Sequence, residues 1–335
     1  YVAAQFAGAG KVLNVTFGIS PMAGMVLGAL IIVGYTILGG FFAVAWTDLV
    51  QGIIMIGTLV ILPVVGFIEL SGLDGFTAPV WDMSNLYNGK TGWAALTAAI
   101  GGLSWGLGYM GQPHLVTRFM AIDSSDNIKT ARRIAFVWAI PAFFGSMIIG
   151  LVGVHLVNSG VLPELSDPEK LMPVMAKTLL PAWLAGIFIS GAIAAMMSTA
   201  DSQLLVSSTV ITEDIVKLFI RHKKPGNLLY IGRLVTIMIG IMAFTMAWRT
   251  EEMVFEMVSY AWGGLGASFG PALLLALWWK KTSRKGIIAG LSCGTLFTIV
   301  DITGGAVTPR LTAFVLAFAA VVLGSLLAPD KSRSD

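Results

Sequence analysis

The sequence predicts an all-α integral membrane protein with about ten transmembrane helices. Mean hydropathy is +0.84. Only 12% of the 335 residues are charged, against roughly 25% in a soluble protein. Apolar runs near the ~20-residue length that crosses the hydrocarbon layer recur along the whole chain.

In order, residues 1–16 read as the end of a helix. The opening Tyr1, with no methionine and no charged leader, predicts an N-terminally truncated chain. Spans then fit 20–39, closed by Gly39-Gly40, and 42–70, before a polar loop with Asp74, Asp82 and Asn88. An apolar run at 92–113 follows, and further spans fit 130–158, 181–214, 227–248, 254–279, 285–303 and 311–328. The amphipathic stretch Pro168 to Leu180 suits a short helix lying on the membrane surface. Residues 1–329 are expected to form one transmembrane domain, and 330–335 a cytoplasmic tail.

Loop charge sets the expected orientation. Arg118, Lys129, Arg132 and Arg133 form one basic cluster; Lys217, Arg221, Lys223, Lys224 and Arg233 a second; Lys280, Lys281, Arg284 and Lys285 a third; Lys331 and Arg333 close the chain. They fall at every second loop, while the alternate loops carry Glu164, Asp167, Glu251 and Glu252, which places the C-terminus inside. The net charge of +3 does not indicate a nucleic-acid partner, because these cations are spread over separate loops. The single cysteine, Cys293, excludes an intrachain disulfide or thiolate metal site by count.

Chemistry-bearing residues concentrate in Ala194-Ala195-Met196-Met197-Ser198-Thr199-Ala200-Asp201-Ser202-Gln203. On a helix, Ala195, Ser198, Thr199 and Ser202 share one face. That face offers oxygen, the ligand hard cations prefer. A carboxylate inside a span, here Asp201, is costly and so a functional signal. One reading is a sodium-ion site in a transporter. The other is that the hydroxyls bond back to helix carbonyls and ease helix contact. Asp48, inside the third span, must likewise pair with a cationic side chain, hold a proton or hold a cation.

Two runs are glycine-rich, Gly101 to Pro113 and Tyr260 to Pro271. Such runs either open a span at a binding site or let helices approach closely. Trp105, Tyr109 and Pro113, spaced by four, form a stripe that either packs or holds an apolar ring and an ammonium group. Asp301 reads as interfacial, Glu213 and Asp214 sit at the inner edge beside Lys217 and Arg221, and His114 suits a bond to a carbonyl. No catalytic dyad, phosphate loop or zinc spacing occurs, so an enzyme is not indicated.

Several runs together resemble the sodium/solute symporter family. They are Trp105-Gly106-Leu107-Gly108-Tyr109-Met110-Gly111-Gln112-Pro113-His114, continuing to Arg118-Phe119-Met120-Ala121; Ser198-Thr199 with Ser202-Gln203-Leu204-Leu205-Val206 and Ile211-Thr212-Glu213-Asp214; Val258-Ser259-Tyr260-Ala261-Trp262; and Trp46-Thr47-Asp48. The likeness runs to about residue 290, and the Trp105–His114 run is most similar to the family's sodium/proline symporters.

The resemblance implies a five-plus-five inverted-repeat transporter fold, of which this chain holds the last ten spans and lacks the first two core helices. It implies Na+ as coupling ion and no organic cofactor. The sodium ligands would be the Ala195 carbonyl and the Ser198 and Thr199 hydroxyls. A possible second cation site would comprise Asp48, Ser198, Asp201 and Ser202, with Asp201 standing where the family frequently has serine. Substrate contacts would fall on Trp105, Tyr109 and Pro113. The implied function is sodium-coupled symport of L-proline or a similar small solute across the cell membrane by alternating access, with no nucleic-acid partner. Its rivals are another amino acid, sialic acid or pantothenate as solute, or a symporter-like sensory domain of a histidine kinase.

Overall fold

The structure, a computed structural model, describes residues 1–73, 89–219, 225–300 and 309–330, with the side chains of 225–227 and 309 set aside. Among the described residues every regular element is helical. In chain order these are α1 (Val2–Phe17), α2 (Pro21–Ser71), α3 (Gly92–Leu103), α4 (Trp105–Tyr109), α5 (Pro113–Met120), α6 (Asn127–Asn158), α7 (Leu171–Leu179), α8 (Ala182–Thr209), α9 (Lys217–Phe219), α10 (Pro225–Arg249), α11 (Val254–Trp278), α12 (Arg284–Val300) and α13 (Pro309–Leu327). Six stretches among the described residues are long and apolar enough to cross a membrane: Pro21–Ser71, Asn127–Asn158, Ala182–Phe219, Leu228–Arg249, Val254–Trp278 and Arg310–Leu327.

Local chemistry sets the boundaries. α1 ends where Gly18 takes a left-handed conformation, φ 68°, and its amide bonds Asn14 O at 2.9 Å. Ser20 then caps α2, its Oγ accepting from the Ala23 amide at 3.2 Å, with Pro21 at the first helical position. α2 holds two expected spans in one continuous element, broken internally at Gly40. There φ is 62° and ψ −173°, a conformation essentially closed to side-chain-bearing residues. α8 runs on into a π-helical turn over Val210–Val216, where Glu213 pairs with Lys217 at 2.9 Å. The loop residues Asp74, Asp82 and Asn88, together with Arg221, Lys223, Lys224, Asp301, Lys331 and Arg333, lie outside the described residues.

One compact unit comprises α1, α2 and α6–α10. Its core gathers Leu62, Leu70, Val152, Leu156, Met175, Phe188 and Ile189. Small residues let its backbones meet, as membrane bundles require. A Cβ on Gly145 would strike the Leu59 carbonyl, and one on Gly191 would strike Thr58, whose hydroxyl donates to Phe188 O at 3.3 Å. The stretch 168–180, expected as a short helix on the membrane surface, packs one face against this unit: α7 buries Met175 and Ala176 completely. Its leading turn is tied to α1 through Lys11, which reaches Asp167 at 2.9 Å and also bonds Glu169. Glu169 in turn accepts from the amides of Val254 and Phe255 at 3.0 and 2.8 Å.

The other unit comprises α3–α5, α11 from Glu256 onward, α12 and α13. α12 and α13 meet through glycine: a Cβ on Gly290 would strike Val321, and one on Gly324 would come 2.9 Å from the Gly286 Cα. Ser268 on α11 bonds Thr295 on α12 at 3.0 Å.

Candidate ion and solute sites

On α8, Ser198 Oγ and Thr199 Oγ1 both donate to one acceptor, the Ala195 carbonyl, at 3.1 and 3.0 Å. These are the back-bonds that serine and threonine form with carbonyls three and four residues earlier. They gather three oxygens at one point on a half-buried face. Turning the two hydroxyl protons aside converts the trio into three acceptors, the donor set a hard alkali ion takes. The back-bonding weighed from the sequence is what these atoms do here, and they are the atoms that the sodium reading names.

One turn further on, α8 carries a buried polar group that faces α2. Asp201 is fully buried. Tyr35 Oη donates to Asp201 Oδ2 and lies 3.1 Å from the Met197 carbonyl. Ser202 Oγ stands 3.3 Å from Asp201 Oδ1 and 3.4 Å from Asp48 Oδ2, within donating reach of both carboxylates. Gln51 Oε1, one turn beyond Asp48, is buried and accepts no hydrogen bond among the described residues. Asp48, Asp201 and Ser202 are therefore brought together, whereas Ser198 directs its bond to Ala195. Two carboxylates bridged by one hydroxyl in a low-dielectric setting need either a shared proton or a cation between them. Sequence reasoning missed Tyr35 and Gln51. The available signal was a phenol and an amide inside otherwise apolar spans, the former five residues before the Gly40 break.

The aromatic residues lie in the other unit. The expected span at 92–113 is not one helix but α3, α4 and α5 in succession, interrupted at Ser104 and across Met110–Gln112. Trp105 and Tyr109 share α4, while Pro113 begins α5, so the expected stripe is cut before its third member. Both α4 aromatics converge on Trp262 of α11. Tyr109 meets it edge-on at 4.8 Å between centroids, and Trp105 lies 6.0 Å away. The Trp262 indole N–H donates to the Trp105 carbonyl at 3.1 Å, which satisfies a carbonyl near the helix break.

Glycine makes this approach possible: a Cβ on Gly108 would land on the Trp262 ring, and one on Gly111 would strike the Leu265 carbonyl. The two glycine-rich runs thus resolve differently. The first opens the helix, and the second, inside the unbroken α11, provides close approach. Gln112, fully buried, donates its amide N–H groups to the Gly108 and Trp262 carbonyls at 3.1 and 3.3 Å. Its Oε1 has no donor among the described residues.

A helical membrane protein with an oxygen-lined buried helix and a broken helix beside an aromatic cluster has the parts of an ion-coupled solute carrier. The sequence profile of the "Sodium:solute symporter family" matches residues 1–294. The chain is 37% identical over 328 residues to the high-affinity proline transporter PutP of Bacillus subtilis (strain 168), covering 96% of this chain and 68% of that protein. It is 34% identical to the osmoregulated proline transporter OpuE of the same organism, covering 100% of this chain and 69% of that one. With the sodium/proline symporter of Escherichia coli (strain K12) it shares 37% identity, covering 90% of this chain and 61% of the symporter. A solved structure described as the substrate-bound outward-open state of a Na+-coupled sialic acid symporter matches in fold, with a TM-score of 0.73 at 21% identity, over 98% of this chain and 75% of that one. The chain belongs to the sodium:solute symporter family and is a multi-pass membrane protein.

Proposed function

We propose that the protein is a sodium-coupled symporter that carries L-proline into the cell by alternating access. The observation that carries this reading is identity of 34–37% to proline transporters along nearly the whole chain. The oxygen trio of α8 fits the coupling-ion role that the family's name states. Sodium bound at the Ala195 carbonyl, Ser198 and Thr199 orders α8, and the carboxylates of Asp48 and Asp201 with Ser202 supply a second cation position. The proline ring packs on Trp105 and Tyr109, with Pro113 at the head of α5. The basic loops put the C-terminus in the cytoplasm.

Entry of one positive charge releases ~2.3 kcal/mol per 100 mV of membrane potential, enough for roughly fifty-fold accumulation at ~1.4 kcal/mol per decade. The test is uptake of labelled L-proline by proteoliposomes holding the full-length protein under an inward sodium gradient, with a panel of unlabelled solutes as competitors. Proline and close analogues are expected to compete. Competition by sialic acid or pantothenate in place of proline would reassign the substrate.

A further inference from the structure

We propose that Arg310 receives the carboxylate of the transported solute, an inference that rests on the symport reading above. Arg310 opens α13 with its guanidinium carbon 4.7 Å from the centroid of the Trp105 ring. Its stem lies where Gly263 of α11 has no side chain: a Cβ there would land on Arg310 Cγ and come 2.8 Å from Cδ. Glycine and indole together build a seat for one cationic side chain, from three helices distant in sequence.

Nη1 of that side chain is buried and has no hydrogen-bond partner among the described residues. A buried charged donor without an acceptor is costly, so its retention points to a ligand that completes it. The geometry also selects the ligand. Stacking on an indole fixes the guanidinium plane and leaves the N–H groups projecting from its edge, the fork that takes a carboxylate through two parallel bonds. The ring under the guanidinium belongs to the Trp105–Tyr109–Trp262 cluster, which offers apolar faces. Gln112, bonded to the Trp262 carbonyl, keeps a buried amide oxygen that lacks a donor among the described residues. An unused cationic donor, an unused acceptor and aromatic faces in one unit suit a small zwitterion: carboxylate to Arg310, ammonium to an acceptor, apolar body against the rings.

The test reads ligand-dependent thermal stabilisation of the full-length protein in detergent with matched pairs that differ only in the carboxylate: L-proline against L-prolinamide, and glycine betaine against choline. The wild type is expected to bind L-proline roughly tenfold to a hundredfold more tightly than L-prolinamide. Arg310→Gln is expected to bring that ratio to about one while prolinamide affinity moves less than about threefold, and Arg310→Lys to recover part of it. Gly263→Ala, which keeps the arginine but displaces its stem, is expected to lower the ratio too. A sodium titration of tryptophan fluorescence on the same samples reports that each variant is folded.

Retention of the carboxylate preference in Arg310→Gln overturns the proposal, as does an equal loss for both members of a pair or a wild type stabilised by no carboxylate. If the wild type ignores proline but prefers another carboxylate through Arg310, the proline reading falls and this assignment stands. If proline is taken up but prolinamide binds as well, the assignment falls and the proline reading stands.

Discussion

Asp201 and Tyr35 show how much a single buried residue asks of its surroundings. A fully buried carboxylate has to be matched by donors or cations, and Tyr35 supplies one donor from α2. Tyr35→Phe removes that donor and leaves Asp201 Oδ2 exposed to an apolar neighbour. It should destabilise the protein by about 1–3 kcal/mol, read as a lower melting temperature in detergent. Asp201→Asn keeps the shape and removes the charge. If the second cation position is real, this variant should lose part of the stabilisation that added sodium confers on the wild type, while its sodium-free melting temperature holds or rises. Equal sodium stabilisation in both proteins would remove Asp201 from the ion site.

At this scale the sequence was informative where partners are close in the chain. The Ser198 and Thr199 spacing brings both hydroxyls within reach of one carbonyl, which the helix alone provides. It was silent where partners come from remote segments. Nothing near Asp201 announces Tyr35, 166 positions away, and nothing near Trp105 announces Arg310. The one hint for Arg310 was a basic residue at the end of a span where the loop-charge alternation leaves no cation.

Helices in this protein are shaped by where glycine stands, and composition alone does not say what each glycine does. Gly40 combines φ 62° with ψ −173°, so Gly40→Ala forces a strained backbone at about 1–3 kcal/mol. Gly57, on the same helix, has open space where a Cβ would go. Gly57→Ala should therefore be neutral or stabilising by up to about 1 kcal/mol. Parallel melts of the two variants check the contrast, and equal effects would contradict it. The Gly39-Gly40 break was legible because glycine coincides there with the end of an apolar run, whereas the run at 101–113 left opening and close packing equally open. The course of α11, unbroken through an equally glycine-rich run that also ends in a proline, was no more legible, since it depends on α4 lying against it.

The tie between α1 and the turn before α7 adds a pH dependence. Burial works to raise the Asp167 carboxyl, but hydrogen bonds from Lys11 and from the Glu169 amide, with the charge of Lys11, outweigh it and hold the group below its ordinary value. A lowered folded value means the contribution is complete above the ordinary carboxylate range, about pH 4. It fades as the pH falls through the lower folded value. Loss of stability between neutral pH and about 5 should therefore be the same in the wild type and Asp167→Asn, and the two should converge only in stronger acid.

For the molecule as a whole, polarity was the clearest message in the sequence. Apolar side chains such as Leu38, Val137 and Leu218 are more than 70% exposed, a surface suited to lipid and not to water. Buried polar side chains occur in both units, with Asp201, Ser202 and Gln203 adjacent on α8. Most span positions followed from hydropathy, the broken run at 92–113 excepted; the division into two compact units did not, because each unit joins segments that are not adjacent in the chain.

The claim on which the account turns is that the α8 oxygen trio binds the coupling ion. The most direct measurement is the sodium concentration giving half-maximal L-proline binding by the purified full-length protein, for the wild type, Ser198→Ala and Thr199→Ala. The account predicts that each variant needs at least about tenfold more sodium, the loss of one charge-assisted ligand worth ~1.5 kcal/mol or more, at unchanged expression and melting temperature without sodium. Sodium curves for both variants that superimpose on the wild type would contradict it.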